Sequence, residues 1–425
     1  MEKMLNDLRK LIKIESVCEK SESDEYPFGR EVRLALDSIL EICKEYGFKT
    51  KNSSNMIGYA EVGEGDALMG ILVHLDVVPA GDGWDTNPFE MEIRNGKIYG
   101  RGVVDDKGPA IAVIHAIKEL LDEGVCFDKR VRIIFGQAEE TGEWEDMEYY
   151  KQNEEPIDFG FTPDADFPAI HGEKGIAHLS FSFAKSDTCF DNIHGGTAIN
   201  MVPDHCSASG NIDGKIFSIS VTGKSAHGST PEEGENAISM LMSKLSNTSQ
   251  CRITEFFQKF IKMELNGQSL GGYCFDEVSG SISYNIGLIE TIKEHINMYV
   301  DVRYPVTFNI NDIICSINNR LEENGFGDIK CTLVNHNPHV YMDKNGPIIQ
   351  MLLEAYREHT GDMGESTVIG GGTYARAMDN IIAFGPMLPG RELTEHQANE
   401  YIYEKDLMLA KEIYKTAIRK LATSH

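Results

Sequence analysis

The pattern of hydrophobic and polar positions is similar at the two ends of the chain and different in its middle. Apolar side chains recur at helical spacing over residues 31–46, and the continuous apolar run 68–73 is typical of a strand buried on both faces. A helix is predicted over 109–123, with Pro109 in its first turn, and a second buried strand over 131–135. Strand, helix and strand in this order predict a parallel βαβ unit.

The middle of the chain alternates apolar and polar positions instead. Residues 178–183 and 217–221 alternate as strands with one covered face do, and a further strand is predicted over 298–303. Helical spacing returns over 236–245 and 311–323. Short antiparallel strands with a few helices are typical of an α+β domain.

Near the end of the chain the first pattern returns, beginning with a helix predicted over 347–359. A domain that is left and re-entered by the chain accounts for this change. We therefore predict an α/β catalytic domain made of residues 1–175 and 341–425, with an inserted α+β domain over residues 176–340.

The composition narrows the class of protein. The 425 residues carry a net charge of −27, and such a surface repels nucleic acid and anionic membranes. The nine cysteines are scattered and form no CxxC pair, so neither a disulfide framework nor a thiolate zinc site is indicated. The N-terminus lacks the continuous apolar core of a signal peptide and no segment is long enough to span a membrane, so we expect a cytoplasmic protein.

The first candidate for chemistry stands at the end of the first buried strand, where His74 and Asp76 are two residues apart. Side chains at this spacing on a strand point the same way, and an acid beside an imidazole is a common arrangement around a metal. Taken alone, the pair is more often explained by a structural histidine. Its weight comes from the acids that follow along the chain.

Two further pairs of acids follow. Asp105 and Asp106 stand in a Gly-rich stretch before the predicted helix, where a helix cap is the alternative explanation for Asp106. Glu139 and Glu140 follow the second buried strand. A solvent-exposed loop would explain two glutamates equally well, but at the end of a buried strand they are costly unless protons or a metal neutralise them.

Asp164 and His396 complete a set of one histidine, three acids and one histidine, each near the end of a predicted strand or loop. Imidazole and carboxylate ligands suit Zn²⁺, Mn²⁺ or Co²⁺ without any thiolate. Two dications bring four positive charges, which three carboxylates and one hydroxide balance. The sequence therefore predicts a two-metal site.

These residues lie in stretches that together resemble one superfamily, that of carboxypeptidase G, aminoacylase, succinyl-diaminopimelate desuccinylase and carnosinase, and most of all its PepV-type bacterial dipeptidases. Single stretches are weakly specific, but they occur in order along nearly the whole chain. The stretches are HLDVVPAGDGWDTNPF (74–89), GRGVVDDKGP (100–109), EETGEWED (139–146), FTPDADFP (161–168), GKSAHGSTPE (223–232), DVRYP (301–305), GGGTYARAMDN (370–380) and TEHQANEY (394–401).

The resemblance implies two Zn²⁺ ions, with Mn²⁺ or Co²⁺ as alternatives, about 3.5–4 Å apart. Each ion would have two ligands of its own and one shared ligand: His74 and Asp164 for the first ion, Glu140 and His396 for the second, and Asp105 as the bridge. Some relatives have Glu where this chain has Asp164, and the Asp favours the dipeptidase branch over carboxypeptidase G.

The resemblance also implies how the site works. Asp76 would orient the His74 ring, and Glu139 would be the general base for a hydroxide that bridges the ions. In the superfamily the bridging Asp is followed by a cis peptide bond, which predicts one between Asp105 and Asp106.

The inserted domain would supply the contacts to the substrate. His227 resembles the histidine that binds the oxyanion, and Asn200 resembles a second polar contact. Arg303 resembles an arginine that grips a substrate carboxylate, a task that suits its planar fork, and Gly372 would also bind substrate. A loop histidine and a strand-surface ion pair are the alternatives for His227 and Arg303.

The fold implied is a zinc-exopeptidase-like α/β domain with a mixed, largely parallel sheet between helices, plus an inserted α+β lid domain. The implied activity is metal-dependent hydrolysis of dipeptides with free termini. An N-acyl amino acid deacylase or a succinyl-diaminopimelate desuccinylase would use the same site, and a binding module without activity is the alternative outside enzymes. We expect a monomer whose partner is a small peptide, with no nucleic acid or membrane partner.

Overall fold

Segments that are far apart in sequence assemble into two units. The computed structural model describes residues 1–21, 23–212 and 214–423. The first unit comprises Met1–His171, Met342–Thr367 and Thr373–His425, and the second comprises Gly172–Tyr341 and Val368–Gly372. The division of the chain into a catalytic domain and an inserted domain, with boundaries at 175 and 340, stays a prediction.

The chain alternates between helices and many short strands. The helices are α1 (Glu2–Ile12), α2 (Arg30–Glu45), α3 (Lys107–Asp122), α4 (Glu145–Asn153), α5 (Ala237–Ser246), α6 (Arg252–Phe256), α7 (Ile310–Glu323), α8 (Pro347–Thr360) and α9 (Glu404–Ala422). The strands are β1 (Lys49–Ser53), β2 (Ile57–Val62), β3 (Leu68–His74), β4 (Glu92–Arg94), β5 (Lys97–Tyr99), β6 (Arg130–Gly136), β7 (Phe159–Thr162), β8 (Ala165–Asp166), β9 (Ile170–Glu173), β10 (Gly175–Ala184), β11 (Phe190–Gly195), β12 (Met201–Val202), β13 (His205–Ile212), β14 (Lys215–Thr222), β15 (Ala226–His227), β16 (Phe275–Asp276), β17 (Gly280–Ser281), β18 (Ser283–Ile292), β19 (His295–Tyr304), β20 (Thr332–Asn337), β21 (Val340–Tyr341), β22 (Thr367–Ile369), β23 (Ile381–Ala383), β24 (Pro386–Met387) and β25 (Tyr401–Tyr403).

A mixed sheet organises the first unit, with strand order β1-β2-β6-β3-β7-β23-β9. Strand β3 is parallel to β6 and β7, and β7 is parallel to β23, whereas β1, β2 and β6 are antiparallel neighbours. All seven residues of β3 are buried, as its continuous apolar run predicts. The α/β class, the mixed sheet and the β3-α3-β6 parallel unit are thereby confirmed.

The parallel strands of this sheet determine where the acids meet. Because β3, β6 and β7 run in one direction, their carboxyl ends lie at the same edge of the sheet, where the loops of parallel sheets usually bind ligands. His74 ends β3, Glu139 and Glu140 follow β6, and Asp164 follows β7. The hydrophobic core of the unit packs helices α1, α3, α8 and α9 with these strands.

The second unit is built on an antiparallel sheet of order β14-β13-β11-β18-β19-β10-β20. Burial alternates along β10, so that one face of the strand is covered, as the sequence pattern predicts. Helix α5 packs on this sheet, and its N-cap residue is Asn236, whose side chain accepts a hydrogen bond from the backbone N–H of Ser239. Within the described ranges, no helix is both long and apolar enough to cross a membrane.

Candidate metal centre

All five predicted metal ligands lie in the first unit. His74 is the last residue of β3, and Asp105 lies in the loop before α3. Glu140 and Asp164 follow β6 and β7, and His396 lies in the loop before β25 with a left-handed backbone (φ 62°). Four separate loops therefore bring their ligands to one edge of the sheet.

The five side chains form two groups that share Asp105. In one group the ligand atoms of His74, Asp105 and Asp164 lie within 4.8 Å of one another, and in the other those of Asp105, Glu140 and His396 do. The two oxygens of Asp105 divide between the groups: Oδ1 is 2.8 Å from Nε2 of His74, and Oδ2 is 2.9 Å from Nε2 of His396. A carboxylate placed in this way can give one oxygen to each of two ions.

The remaining distances complete each group. Nε2 of His396 is 3.1 Å from Oε2 of Glu140, and Nε2 of His74 is 3.8 Å from Oδ2 of Asp164. The His74 side chain is fully buried, whereas the His396 side chain is half exposed. One group is thus closed off from solvent on its histidine side and the other is open on that side.

The electrostatics of the histidines follow from these contacts. Burial alone would lower the pKa of His74, but hydrogen bonds with Asp105 and Asp76 raise it well above its usual value. Burial would also lower the pKa of His396, but hydrogen bonds with Asp105 and Glu140 raise it to about 12. Burial would raise the pKa of Asp105, yet its bonds with His396 and His74 hold it well below the usual range. Both imidazoles are therefore held where positive charge is favoured.

The other acids of the cluster have too little positive charge around them. Burial and the nearby Asp105 raise the pKa of Asp164 to about 8 and also raise that of Glu140. Burial and Asp164 raise the pKa of Glu139 well above its usual value. Acids whose charged forms are disfavoured in this way form a cluster that cations would stabilise.

This donor set fits two dications of the zinc class. Imidazole nitrogens and carboxylate oxygens are ligands that Zn²⁺, Mn²⁺ and Co²⁺ accept, and every member of both groups can offer one atom to a common point. Cations at these points would compensate the negative charge that the carboxylates bring together. The roles of the individual ligands stay a prediction.

Glu139 belongs to neither group of ligands and is held by its backbone. Its N–H donates to Oδ1 of Asp76 (3.2 Å), and its carbonyl accepts from the indole of Trp144 (2.9 Å). The carboxyl is buried beside the charges of Asp164 and His74, with a raised pKa. A buried acid with a raised pKa beside a metal site is suited to carry a proton.

Asp76 does more than the sequence predicts. Its carboxylate accepts from the backbone N–H groups of Glu139 (3.2 Å) and Glu140 (3.0 Å). Toward His74 its nearest contact is the backbone carbonyl, 3.0 Å from Nδ1, and the carboxylate oxygen is 3.5 Å away. Asp76 therefore contacts the ring and also fixes the two glutamates.

Asp146, which the sequence reasoning missed, builds the other half of the Glu139 loop. Its buried carboxylate accepts from the backbone N–H groups of Gln137 (2.6 Å) and Ala138 (3.1 Å) and from the hydroxyl of Tyr374 (2.6 Å). The ring of Tyr374 also stands edge-on to that of His74, with ring centres 6.2 Å apart. The only signal in the sequence is the acid that closes the stretch EETGEWED.

Glu400, which the sequence reasoning also missed, holds the loop of Asp105 by accepting hydrogen bonds from it. Its buried carboxylate accepts from Nη1 of Arg101 (2.7 Å) and from the backbone N–H groups of Gly102 (3.1 Å) and Val104 (2.9 Å). The loop that carries His396 thereby holds the loop that carries the shared ligand. The stretch TEHQANEY contains Glu400, but nothing local indicates its partner, 299 residues away.

The alternative explanation of Asp106 as a helix cap is wrong. Asp106 stands at the N-cap position of α3, but its side chain makes no capping hydrogen bond and accepts instead from the backbone N–H of His74 (3.2 Å). The peptide bond between Asp105 and Asp106 is cis, as the superfamily resemblance predicts. Asp106 thus links the Asp105 loop to the end of β3.

The other predicted site residues, His227, Asn200, Arg303 and Gly372, lie in the second unit. His227 lies in the short strand β15, where it pairs with Met201 of β12. The backbone carbonyl of Asn200 accepts from the N–H of Gly228 (2.7 Å), and a Cβ on Gly228 would collide with Asp301. Glycine is therefore needed beside His227 for close packing.

The ring of His227 has an assignable tautomer. The backbone N–H of Ser229 lies 3.3 Å from Nδ1, and the hydroxyl of Ser229 lies 2.6 Å from the same nitrogen. Because a backbone N–H can only donate, Nδ1 is the acceptor and a neutral ring carries its proton on Nε2. Nε2 is then a donor, as an oxyanion contact requires.

Arg303 is buried in an ion pair. Nε and Nη2 donate to Oδ2 of Asp301 (3.1 and 2.9 Å), and Nη1 donates to the carbonyl of Gly370 (3.0 Å). The alternative explanation of Arg303 as an ion-pair residue describes these contacts, except that the pair is buried rather than on the surface. Gly372 follows in the same Gly-rich stretch and is half-buried.

Comparison with known proteins gives one family. Residues 70–420 match Peptidase family M20/M25/M40. The chain is 37% identical to a Staphylococcus haemolyticus protein named "Putative dipeptidase", over 98% of this chain and 97% of that protein.

Solved structures share the fold at low identity. Human carnosine dipeptidase 1 superposes with a TM-score of 0.63 at 14% identity, covering 99% of this chain and 96% of that one. A Bacillus subtilis protein described as a dinuclear metal binding peptidase from the M20 family superposes with a TM-score of 0.54 at 13% identity, covering 99% and 98% of the two chains.

Proposed function

The chain belongs to Peptidase family M20/M25/M40, and we propose that within this family of hydrolases it is a two-zinc dipeptidase of the PepV-type branch, acting on dipeptides with free termini. The observation that carries the proposal is the pair of ligand groups that share Asp105, while Glu139 lies beside the charges of Asp164 and His74 and belongs to neither group. Identity of 37% to a relative named as a dipeptidase, over nearly all of both chains, supports the substrate class.

Ions bound by the two groups would polarise the scissile carbonyl and lower the pKa of a bound water; the ligand chemistry fits Zn²⁺, with Mn²⁺ or Co²⁺ as alternatives. Glu139 would take the proton from the attacking water and give it to the leaving amine. Burial and the nearby charge of Asp164 raise its pKa, which favours holding the proton between the two transfers.

The chain's other residues would position these groups. Asp76 fixes the backbone of Glu139 and Glu140, Asp146 fixes the residues before them, and Glu400 fixes the loop of Asp105. Nε2–H of His227 is our candidate for the oxyanion donor, and Asn200, Arg303 and Gly372 are our candidates for substrate contacts. The family resemblance supports these four assignments.

A substrate panel tests the proposed function. The purified chain, loaded in turn with Zn²⁺, Mn²⁺ and Co²⁺, is assayed on free dipeptides, their N-acetylated and amidated forms, tripeptides, N-acyl amino acids and succinyl-diaminopimelate. We expect kcat/KM for the best free dipeptide to exceed that for every other class by about 10²-fold or more, since a buried polar site rejects substrates that leave its groups unpaired. A preference for N-acyl amino acids or for the succinylated substrate would replace the dipeptidase by a deacylase.

Arg303 gives a prediction about the free carboxylate of the substrate. Arg303→Lys keeps a positive charge beside Asp301 but loses the planar fork. We expect kcat/KM for a free dipeptide to fall about ten- to a hundred-fold and that for its amide to change much less, because one charged hydrogen bond to a carboxylate contributes about 1.5–3 kcal/mol.

The ratio of the two substrates is the measurement, since any loss of folded protein lowers both rates equally. Arg252→Lys is the matched control, because Arg252 pairs with Asp328 elsewhere in the same unit. Equal losses on the free and amidated forms in Arg303→Lys would show that Arg303 serves only its ion pair with Asp301.

A further inference from the structure

Two cysteines of the second unit lie in direct contact. The Sγ atoms of Cys189 and Cys251 are 3.1 Å apart, although 62 positions separate them in sequence. Cys189 directly precedes β11, and Cys251 directly precedes α6. Neither residue belongs to the metal centre or to the predicted substrate contacts, so the pair needs its own explanation.

The surroundings of the pair make the two sulfurs unequal. Their hydrogen bond lowers the pKa of Cys251 and raises the pKa of Cys189. The hydroxyl of Thr254, 3.5 Å from Sγ of Cys251, acts in the same direction on Cys251. Both cysteines are only half-buried. Cys251 is thereby the sulfur that loses its proton more readily, and its partial exposure lets small molecules reach it.

The distance between the sulfurs favours a covalent bond over a shared metal. Two thiolates on one tetrahedral Zn²⁺, with Zn–S of about 2.3 Å, would stand about 3.8 Å apart. A disulfide bond is about 2.05 Å long, so the pair needs to close by about 1 Å. Among the described residues, neither cysteine belongs to a group that could hold a metal ion.

We propose that Cys189 and Cys251 are a modification site for hydrogen peroxide, a two-electron oxidant, which converts them into a reversible disulfide. The Cys251 thiolate attacks one peroxide oxygen, the O–O bond breaks, and hydroxide leaves to give a sulfenic acid. The Cys189 sulfur then attacks the Cys251 sulfur, the S–O bond breaks, and water leaves with the Cys189 proton. The hydroxide takes up the proton that the Cys251 thiol released when it ionised, so two thiols and one peroxide become one disulfide and two waters.

The bond would join the sheet of the second unit to its helices. Helix α6 continues directly into the π-helical segment Phe257–Ile261, and the rings of Phe256 and Phe260 pack on Phe326 in the core. Closing a loop of this length restricts the unfolded chain. We expect the unfolding transition of the second unit to rise by about 5 °C or more on oxidation.

Peptide mapping of the full chain tests the proposal. The reduced, metal-loaded protein is treated with hydrogen peroxide, alkylated with iodoacetamide and digested. We expect the peptides of Cys189 and Cys251 to be linked, 2 Da lighter than the two thiol peptides, and separated again by dithiothreitol. The exposed Cys126 and Cys315 should be recovered alkylated. Recovery of Cys189 and Cys251 as separate alkylated or sulfinic acid peptides would overturn the proposal.

Variants give an independent measurement. The peroxide-dependent rise in the unfolding temperature should persist in Cys315→Ser, the matched control at an exposed cysteine, and vanish in Cys251→Ser and Cys189→Ser. Without its partner, the Cys251 thiol of Cys189→Ser should oxidise further, to sulfinic acid. A rise that persists in either pair variant would assign the effect to another residue and overturn the proposal. Mapping of the wild-type chain decides the question if a variant fails to fold.

Discussion

Replacing Glu139 with Gln is expected to lower kcat for dipeptide hydrolysis by about 10²–10⁴-fold while both ions stay bound. The amide has nearly the shape of the carboxyl and keeps the backbone contacts to Asp76 and Trp144. It cannot take a proton from water and return it to the leaving amine. Because Glu139 belongs to neither ligand group, the change removes the proton carrier and spares the metal ligands.

Metal content and the unfolding temperature of Glu139→Gln are measured beside its kinetics. Glu143→Gln is the matched control, because Glu143 lies in the same loop with an exposed side chain that pairs with Lys20. We expect Glu143→Gln to keep wild-type turnover. Activity of Glu139→Gln within about tenfold of the wild type would show that another group moves the proton.

Replacing Asp105 with Asn is expected to lower activity by about 10³-fold or more and to lower the metal content. The two oxygens of Asp105 face different histidines, at 2.8 and 2.9 Å, so the carboxylate is the one ligand common to both groups. An amide offers one oxygen and one N–H₂ group, and it brings no negative charge. The amide therefore cannot be a ligand to two cations at once. One site would lose a ligand, or only one of the two cations would bind.

Metal analysis after dialysis separates this effect from general damage. Asp85→Asn is the control, because the Asp85 side chain is exposed in the first unit and forms a long ion pair (3.6 Å) with Arg94. It should retain both the metal and the activity of the wild type. Two ions bound with turnover within about tenfold in Asp105→Asn would refute its assignment as the bridge.

The sequence predicts the β3-α3-β6 part of the first unit because its signals are local. The run 68–73 and the helix pattern before 123 each describe an element by its own residues, and β3 and α3 form there. The parallel order of β3 and β6 then places His74 and Glu140 at one edge. Side chains that end strands of a parallel sheet are predictable to this extent.

The supporting contacts could not be predicted, because they join residues that no local pattern relates. Glu400 holds the loop of Asp105 through contacts that include Arg101, which is 299 positions away in sequence. Tyr374 donates a hydrogen bond to Asp146 across 228 positions. Asp106 has the sequence position of a helix cap, but in the fold the backbone N–H of His74 is within its reach. Which of several possible partners a buried polar group takes is decided by tertiary packing.

Arg303 shows the same limit for a predicted site residue. The stretch DVRYP relates it to a substrate-binding arginine, yet the residue two positions before it, Asp301, takes two of its donors in this structure. Residues two apart on a strand share a face, so the pair was accessible from the sequence. Its burial, which depends on the rest of the second unit, was not.

The most direct test of the two-metal account is a titration of the metal-free chain with Zn²⁺, in which bound metal and hydrolysis of one free dipeptide are measured on the same samples. The account predicts that activity is absent without metal and reaches its plateau when two ions are bound per chain. Full activity with one ion or none, or two bound ions without dipeptide hydrolysis, would contradict it.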